Sequence, residues 1–147
     1  MKYGIKIYAD NSKNIFPKLA KDIPFDFVEA MIEPDANFSY LKKYDIDYVI
    51  HAAHSAFGIN VANPSKKQKN ILAIRHAIKA SNDLKADVII VHPGYIENKE
   101  CTLENAINFV KELDCNKIIF ENLYPHPSFK KGHLGYSFED IKASNVE

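Results

Sequence analysis

The chain alternates between short runs of consecutive apolar residues and longer stretches in which apolar residues recur at helical spacing. The run from Val88 to Val91 consists of four β-branched residues, which is typical of a strand buried on both faces of a parallel sheet. The pattern predicts five strands in all. The other four cover residues 3–9, 26–33, 47–54 and 117–122.

Segments with a helical apolar face lie between these strands. Residues 15–20, 71–81 and 107–113 carry apolar side chains at three- and four-residue spacing, and Ser137–Asp140 predicts the start of a last helix. Because strands and helices alternate, we expect an α/β fold of parallel strands joined by right-handed crossovers. No linker or low-complexity tract interrupts the pattern, so residues 1–147 are expected to form one domain.

Composition and charge narrow the class of protein. The 147 residues are 46% hydrophobic and 26% charged, with a formal net charge of zero, which provides no electrostatic basis for tight non-specific binding of nucleic acid. Cys101 and Cys115 form no CxxC pair and are expected to be free thiols in a reducing compartment. The sequence has no signal-peptide pattern and no apolar run of about 20 residues, so we expect a cytoplasmic protein without membrane spans.

Three of the predicted strands end in a side chain that can bind a metal or transfer a proton. His92 follows the fourth strand and precedes Pro93 and Gly94, which stop the strand. His54 ends the third strand, and Glu121 ends the fifth. Functional sites of parallel α/β sheets lie at the carboxyl ends of the strands. We therefore expect these three side chains to meet at one edge of the sheet.

Two other polar residues of the predicted strands, His51 and Glu29, are alternatives for the same site. His51 and His54 are three residues apart, so a regular strand would point them to opposite faces, and His54 lies nearer the strand end. The sequence thus favours His54 for the site and a packing role for His51. Glu29, in the second strand, is expected to be solvated, as charged residues on strands usually are.

Several motifs resemble one known family when taken together. His54–Pro64 resembles the histidine loop after the third strand of endonuclease IV-type proteins, and Val91–Gly94 resembles their fourth-strand motif. Phe120–Asn122, followed by Gly132–Ser137, resembles their fifth-strand glutamate and the glycine-containing loop after it. Taken together, these motifs resemble those of the xylose isomerase-like (AP endonuclease 2) superfamily of TIM barrels.

The resemblance implies a metal site. It makes His54, His92 and Glu121 the ligands of one zinc ion, with Glu121 also acting in catalysis as a bridge to a second metal. Two imidazoles and a carboxylate match the ligand set of open catalytic zinc sites. The implied substrates are abasic DNA, for a metal-dependent endonuclease, or a small sugar, for an isomerase or epimerase of the same superfamily.

The chain departs from the family in length. A TIM barrel has eight strands and about 250 residues, whereas only the first five β/α units are expected here, as an incomplete barrel. Five strands leave two open sheet edges, which predicts an oligomer or a complementary chain. A third possibility beside the two enzymes is therefore a non-catalytic partial barrel or subunit.

Overall fold

Five parallel strands form the single sheet of the computed structural model, which describes residues 1–123, 132–135, 137 and 139. Their order in space is their order in sequence. This arrangement confirms the expected α/β fold of TIM-barrel type with about five parallel strands. The strands are β1 (Gly4–Tyr8), β2 (Phe27–Ile32), β3 (Asp47–Ala52), β4 (Ile89–Val91) and β5 (Ile118–Phe120).

Helices connect these strands where the apolar spacing predicted them. The α-helices are α1 (Phe16–Asp22), α2 (Lys67–Leu84) and α3 (Leu103–Lys111), and short 3-10 helices cover Ser39–Lys43, Ser55–Phe57 and Pro64–Lys66. The last helix, expected from Ser137, falls almost entirely outside the described residues. None of the helices in the described part of the chain is long and apolar enough to cross a membrane.

The two faces of the sheet differ in character. One face carries Val28, Ile50 and Ile89, which are fully buried against Ile74 of α2 in the hydrophobic core. Burying an aliphatic side chain of this size contributes about 1.5–3 kcal/mol, so this helix-covered face holds the fold together. The core also contains Phe16 of α1 and Phe109 of α3.

The opposite face of the sheet carries the polar side chains, and we call it the site face. His51 pairs in register with Met31, and Glu29 pairs with Lys6. Because alternate residues of a strand share a face, Glu29 and Met31 lie on the same side, and the register carries Lys6 and His51 there too. In a closed barrel this face would line the interior.

The sheet ends in two strands with one partner each. Within the described residues, β1 pairs only with β2 and β5 pairs only with β4. Five parallel strands are too few to close a small barrel, since the TIM barrel requires eight. The described part of the chain is therefore an open arc of a barrel.

Candidate metal centre

Turns at the carboxyl ends of β4 and β5 place two of the site residues. Pro93 and Gly94 stop β4 directly after His92, and Gly94 has a φ of +106°, which favours glycine. A Cβ atom at Gly94 would collide with the side-chain oxygen of Asn60, so the absence of a side chain lets the two loops pack together. Glu121 continues β5 by donating its backbone N–H to the carbonyl of Val91 at 3.1 Å.

Three side chains on the site face bring one ligand atom each to a common point. Nε2 of His92 lies 2.9 Å from Oε2 of Glu121, and Nε2 of His51 lies 3.2 Å from both of these atoms. His51 is buried, His92 is 19% exposed and Glu121 is 42% exposed, so the cluster opens toward solvent on the side of the carboxylate. We call these three residues the HHE cluster.

The spacing of the HHE cluster fits a metal ion. Ligand atoms bound tetrahedrally at about 2.0–2.1 Å lie roughly 3.3 Å from one another, close to the separations found here. In the described part of the chain, this is the one group of three or more histidine, cysteine or acidic side chains with ligand atoms this close together.

The tautomer of His51 gives an independent chemical reason for a cation between this ring and the carboxylate of Glu121. Nδ1 of His51 lies 3.0 Å from the carbonyl oxygen of Ala52, which can only accept, so Nδ1 carries the proton. In the neutral ring, Nε2 then presents a lone pair to the carboxylate oxygen of Glu121. Two lone pairs 3.2 Å apart repel each other unless a proton or metal cation lies between them. A carbonyl that orients a histidine in this way is typical of metal sites.

The ionisation of the cluster favours metal ligation. When the His51 ring is cationic, its Nε2 donates a hydrogen bond to Glu121, and Nε2 of His92 donates a second when it carries a proton. These hydrogen bonds hold the pKa of Glu121 well below its usual range and outweigh the opposing effect of burial. Burial lowers the pKa of His92, and the hydrogen bond to Glu121 opposes this shift only in part. An ionised carboxylate beside an imidazole that favours its neutral form is the state that binds a divalent ion.

His54 lies beside the HHE cluster rather than within it. Its ring stacks on that of His92 with centroids 4.4 Å apart and an interplanar angle of 12°. Its Nδ1 accepts a hydrogen bond from the backbone N–H of Ala56 at 3.3 Å. Burial lowers the pKa of His54 to about 4, with further lowering by His92 and His51. His54 is therefore a neutral ring whose Nδ1 is already engaged by the backbone.

The structure thus brings together two of the three residues that the sequence singled out. His92 and Glu121 converge as expected, but the third member of the cluster is His51 and not His54. Both histidines face the same rim, because their ring centroids are only 5.7 Å apart. Glu29 also departs from expectation, since it is 25% exposed and its Oε1 pairs with Nζ of Lys6 at 2.7 Å on the site face.

A second polar network supports the loops around the site. The carboxylate of Glu97 accepts hydrogen bonds from Lys66 at 2.6 Å, from Asn63 at 2.6 Å, from Tyr95 at 2.8 Å and from Asn60 at 3.1 Å. Burial alone would raise the pKa of Glu97, but these hydrogen bonds outweigh it and lower the pKa to about 2. Glu97 therefore ties the loop after β3 to the loop after β4. Its partners lie up to 37 residues away in sequence, so no local pattern could have revealed the network.

One cavity bordered by described residues lies away from this chemistry. It has a volume of about 690 Å³ and is lined at the amino-terminal end of the sheet by residues that include Asp26 and Asp47. None of its lining residues belongs to the HHE cluster. We place the functional site at the cluster, because converging ligand atoms specify chemistry and an open, exposed cavity does not.

The chain is similar to known proteins of TIM-barrel type, in agreement with the architecture described above. A family model described as xylose isomerase-like TIM barrel matches residues 17–144. The chain is 28% identical over 164 residues to an uncharacterised protein of Methanocaldococcus jannaschii, covering 96% of this chain and 54% of that protein. It is 26% identical over 147 residues to a probable endonuclease 4 of Thermotoga petrophila, covering 90% of this chain and 47% of that protein.

One solved structure covers the whole chain. The crystal structure of a D-tagatose 3-epimerase-like protein superposes with a TM-score of 0.74 at 24% identity, covering 100% of this chain and 60% of that one. The chain spans about half the length of the curated relatives it matches. With a family match over most of its residues, the chain belongs to the xylose isomerase-like TIM-barrel family.

Proposed function

We propose that this chain supplies the metal-binding arc of a zinc-dependent hydrolase that cleaves phosphodiesters at abasic sites in DNA. The observation that carries the proposal is the triangle of ligand atoms from His51, His92 and Glu121, with sides of 2.9–3.2 Å. Two imidazoles and one carboxylate are the ligands of open catalytic zinc sites.

Each residue of the HHE cluster has a distinct role in this proposal. His51, held by the Ala52 carbonyl, would present a fixed Nε2 lone pair to zinc. His92 would bind through Nε2 with its ring held between His51 and His54. Glu121 would supply the anionic ligand and, as the most exposed member, the group nearest to substrate. A bound zinc ion acidifies water and stabilises charge on a phosphoryl oxygen.

Two observations support DNA as the substrate. The motifs at the ends of the third to fifth strands resemble those of endonuclease IV-type proteins, and the T. petrophila relative is a probable endonuclease. Because the described strands form an open arc, we propose that activity requires further strands, from a continuation of the chain, a complementary chain or a second copy.

A sugar isomerase or epimerase is the second candidate, and Glu29 is the observation that favours it. This carboxylate lies on the site face, where an acid–base residue for proton transfer would be needed, although it is paired with Lys6. A non-catalytic subunit is the third reading. It predicts a stable oligomer with neither activity.

The test begins with metal content and then compares two reactions. Purified protein should contain about one zinc per chain, His92→Ala should lose it, and His76→Gln on α2 should retain it as a matched control away from the cluster. Once the further strands are supplied by a continuation of the chain, a complementary chain or a second copy, the zinc-loaded protein should nick a duplex that carries a tetrahydrofuran abasic analogue. Interconversion of an aldose and a ketose without nicking would favour the second candidate. Absence of zinc from the wild type would refute the metal site itself.

A further inference from the structure

The pairing of β4 with β5 gives little backbone support to the two ligands at the ends of these strands. Each strand has only three residues, and the last pair in register is Val91 with Phe120. The N–H of Glu121 then donates to the carbonyl of Val91 at 3.1 Å. Pro93, directly after His92, has no N–H with which to continue the pairing. The sheet therefore supports the backbone of both ligands mainly from the strand side.

A short segment of the loop after β5 bonds to the chain beyond these ligands. We call this segment, Gly132–Gly135, the strap. It pairs in the antiparallel direction with the loop after β4. The N–H of Leu134 donates to the carbonyl of Gly94 at 3.0 Å, and the N–H of Ile96 donates to the carbonyl of Gly132 at 3.1 Å. The strap is thus bonded to the loop that follows His92.

The strap also bonds to the chain that follows the fifth strand. The carbonyl of Gly135 accepts a hydrogen bond from the N–H of Leu123 at 3.2 Å. Leu123 lies two residues after Glu121, and Gly94 lies two residues after His92. Two residues span at most about 7 Å of chain, so each bond acts close to a ligand. The strap therefore connects the two segments that carry these ligands.

The strap has an apolar anchor between two turning points. The side chain of Leu134 is partly buried and packs against the hydrophobic core. Gly132 and Gly135, which bound the strap, have φ angles of +86° and +67°. Such residues absorb the backbone rotation when a loop segment moves, so the strap can dock and release as a unit.

We infer that docking of the strap and binding of the metal are coupled. The docked strap holds His92 and Glu121 at the spacing of metal ligands, and a metal bound to both side chains keeps the strap docked. This inference rests on the proposed metal site. The coupling is reciprocal, so each event favours the other by the same factor. Leu134 is the positioning residue of this device, because it fixes the strap to the core.

Amide hydrogen exchange, followed residue by residue by NMR, tests the coupling in the wild-type chain with and without zinc. The N–H groups of Leu134, Ile96 and Leu123 should exchange roughly 5- to 150-fold more slowly when zinc is bound, the range of ordinary coupling between sites. The N–H of Leu113, which donates to the carbonyl of Val110 at 3.0 Å just after α3, is the control. Its exchange rate should be the same in both states.

Zinc affinity, measured by competition with a chelator, tests the reciprocal effect. Leu134→Ala should bind zinc roughly 10-fold more weakly, because the apparent affinity falls with the fraction of chains whose strap is docked. Leu134→Met should restore most of the affinity, since it nearly conserves the volume of the anchor. Leu113→Ala is the matched control, because Leu113 is also a partly buried leucine packed against the core. It should lose stability but keep the zinc affinity of the wild type.

A strap that merely stabilises the fold gives a different result. Strap amides that exchange equally fast with and without zinc would overturn the coupling while leaving the metal site intact. Wild-type zinc affinity in folded Leu134→Ala would do the same. If this variant does not fold, the exchange rates of the wild type decide alone. Failure of the wild type to bind zinc would overturn both the coupling and the metal site.

Discussion

The imidazole rings of His54 and His92 stack almost in parallel, with centroids 4.4 Å apart. His51 meets the ring of His92 edge-on, at 4.9 Å and 71°. His92 is therefore held between two histidines of β3 and its following loop, and Glu121 engages its Nε2. We propose that the stacking makes His54 a positioning residue for His92, whereas the strand-end pattern predicted a metal ligand.

The loop after β3 depends on a buried asparagine. The side chain of Asn70 on α2 is fully buried, donates to the carbonyl of Asn60 at 2.7 Å and accepts from its N–H at 3.2 Å. Asn70→Ala should lower the free energy of unfolding by about 1–3 kcal/mol, because it leaves both backbone groups unpaired. Denaturant unfolding measures the effect. Leu72→Ala, a 72% exposed position of the same helix, should change it by less than about 0.5 kcal/mol.

The turn after His92 requires glycine for two separable reasons. Gly94→Ala would strain a φ of +106° and also drive a Cβ into the side chain of Asn60. Gly132→Ala would strain a φ of +86°, but its Cβ would meet no atom of the described residues within 4 Å. We expect a loss of about 1 kcal/mol at Gly132 and about 2–4 kcal/mol at Gly94 in denaturant unfolding. Equal losses would show that the contact with Asn60 contributes nothing.

The Glu97 network predicts a stability that depends on pH. The pKa of Glu97 falls from 4.5 to about 2 in the folded chain, so its stabilising effect is full above pH 4.5 and is lost as the pH falls toward 2. Glu97→Gln should therefore reduce the free energy of unfolding by about 1–2 kcal/mol at pH 7, allowing for partial exposure, and by much less near pH 2.

Urea unfolding of the wild type and of Glu97→Gln between pH 2 and pH 7 would measure the difference in their free energies of unfolding. Glu100→Gln is the control, because Glu100 is an exposed residue of the same loop, and its effect should stay below about 0.5 kcal/mol. A Glu97→Gln deficit that persists undiminished to pH 2 would contradict the role assigned to the carboxylate.

The sequence was sufficient for the fold because each element carries its own local signal. The β-branched run ending at Val91 and the apolar face of α2 both appear where spacing predicts them. The expectation that His51 and His54 face opposite sides does not hold in the structure, for a physical reason. Alternation of faces holds only inside a strand, and β3 ends at Ala52, so the turn after it returns His54 to the rim that His51 already faces.

Long-range polar pairs were beyond sequence reasoning. Lys6 and Glu29 are 23 residues apart and become neighbours only through the parallel register of β1 and β2. Single charged residues on strands are usually solvated, so the pattern gave no reason to expect a pair on the site face. Such contacts depend on which residues the register places side by side.

The assignment of His51 as the third ligand is tested most directly by zinc titration of His51→Ala and His54→Ala, with competition from a chelator of known affinity. His51→Ala should bind zinc more than about 100-fold more weakly than the wild type, because a ligand is lost, and losing a group that merely orients a ligand already costs about 10–100-fold. His54→Ala should weaken binding by less than about tenfold, since it removes only the stacking partner of His92. The reverse order, with tight binding in His51→Ala and none in His54→Ala, would contradict the account.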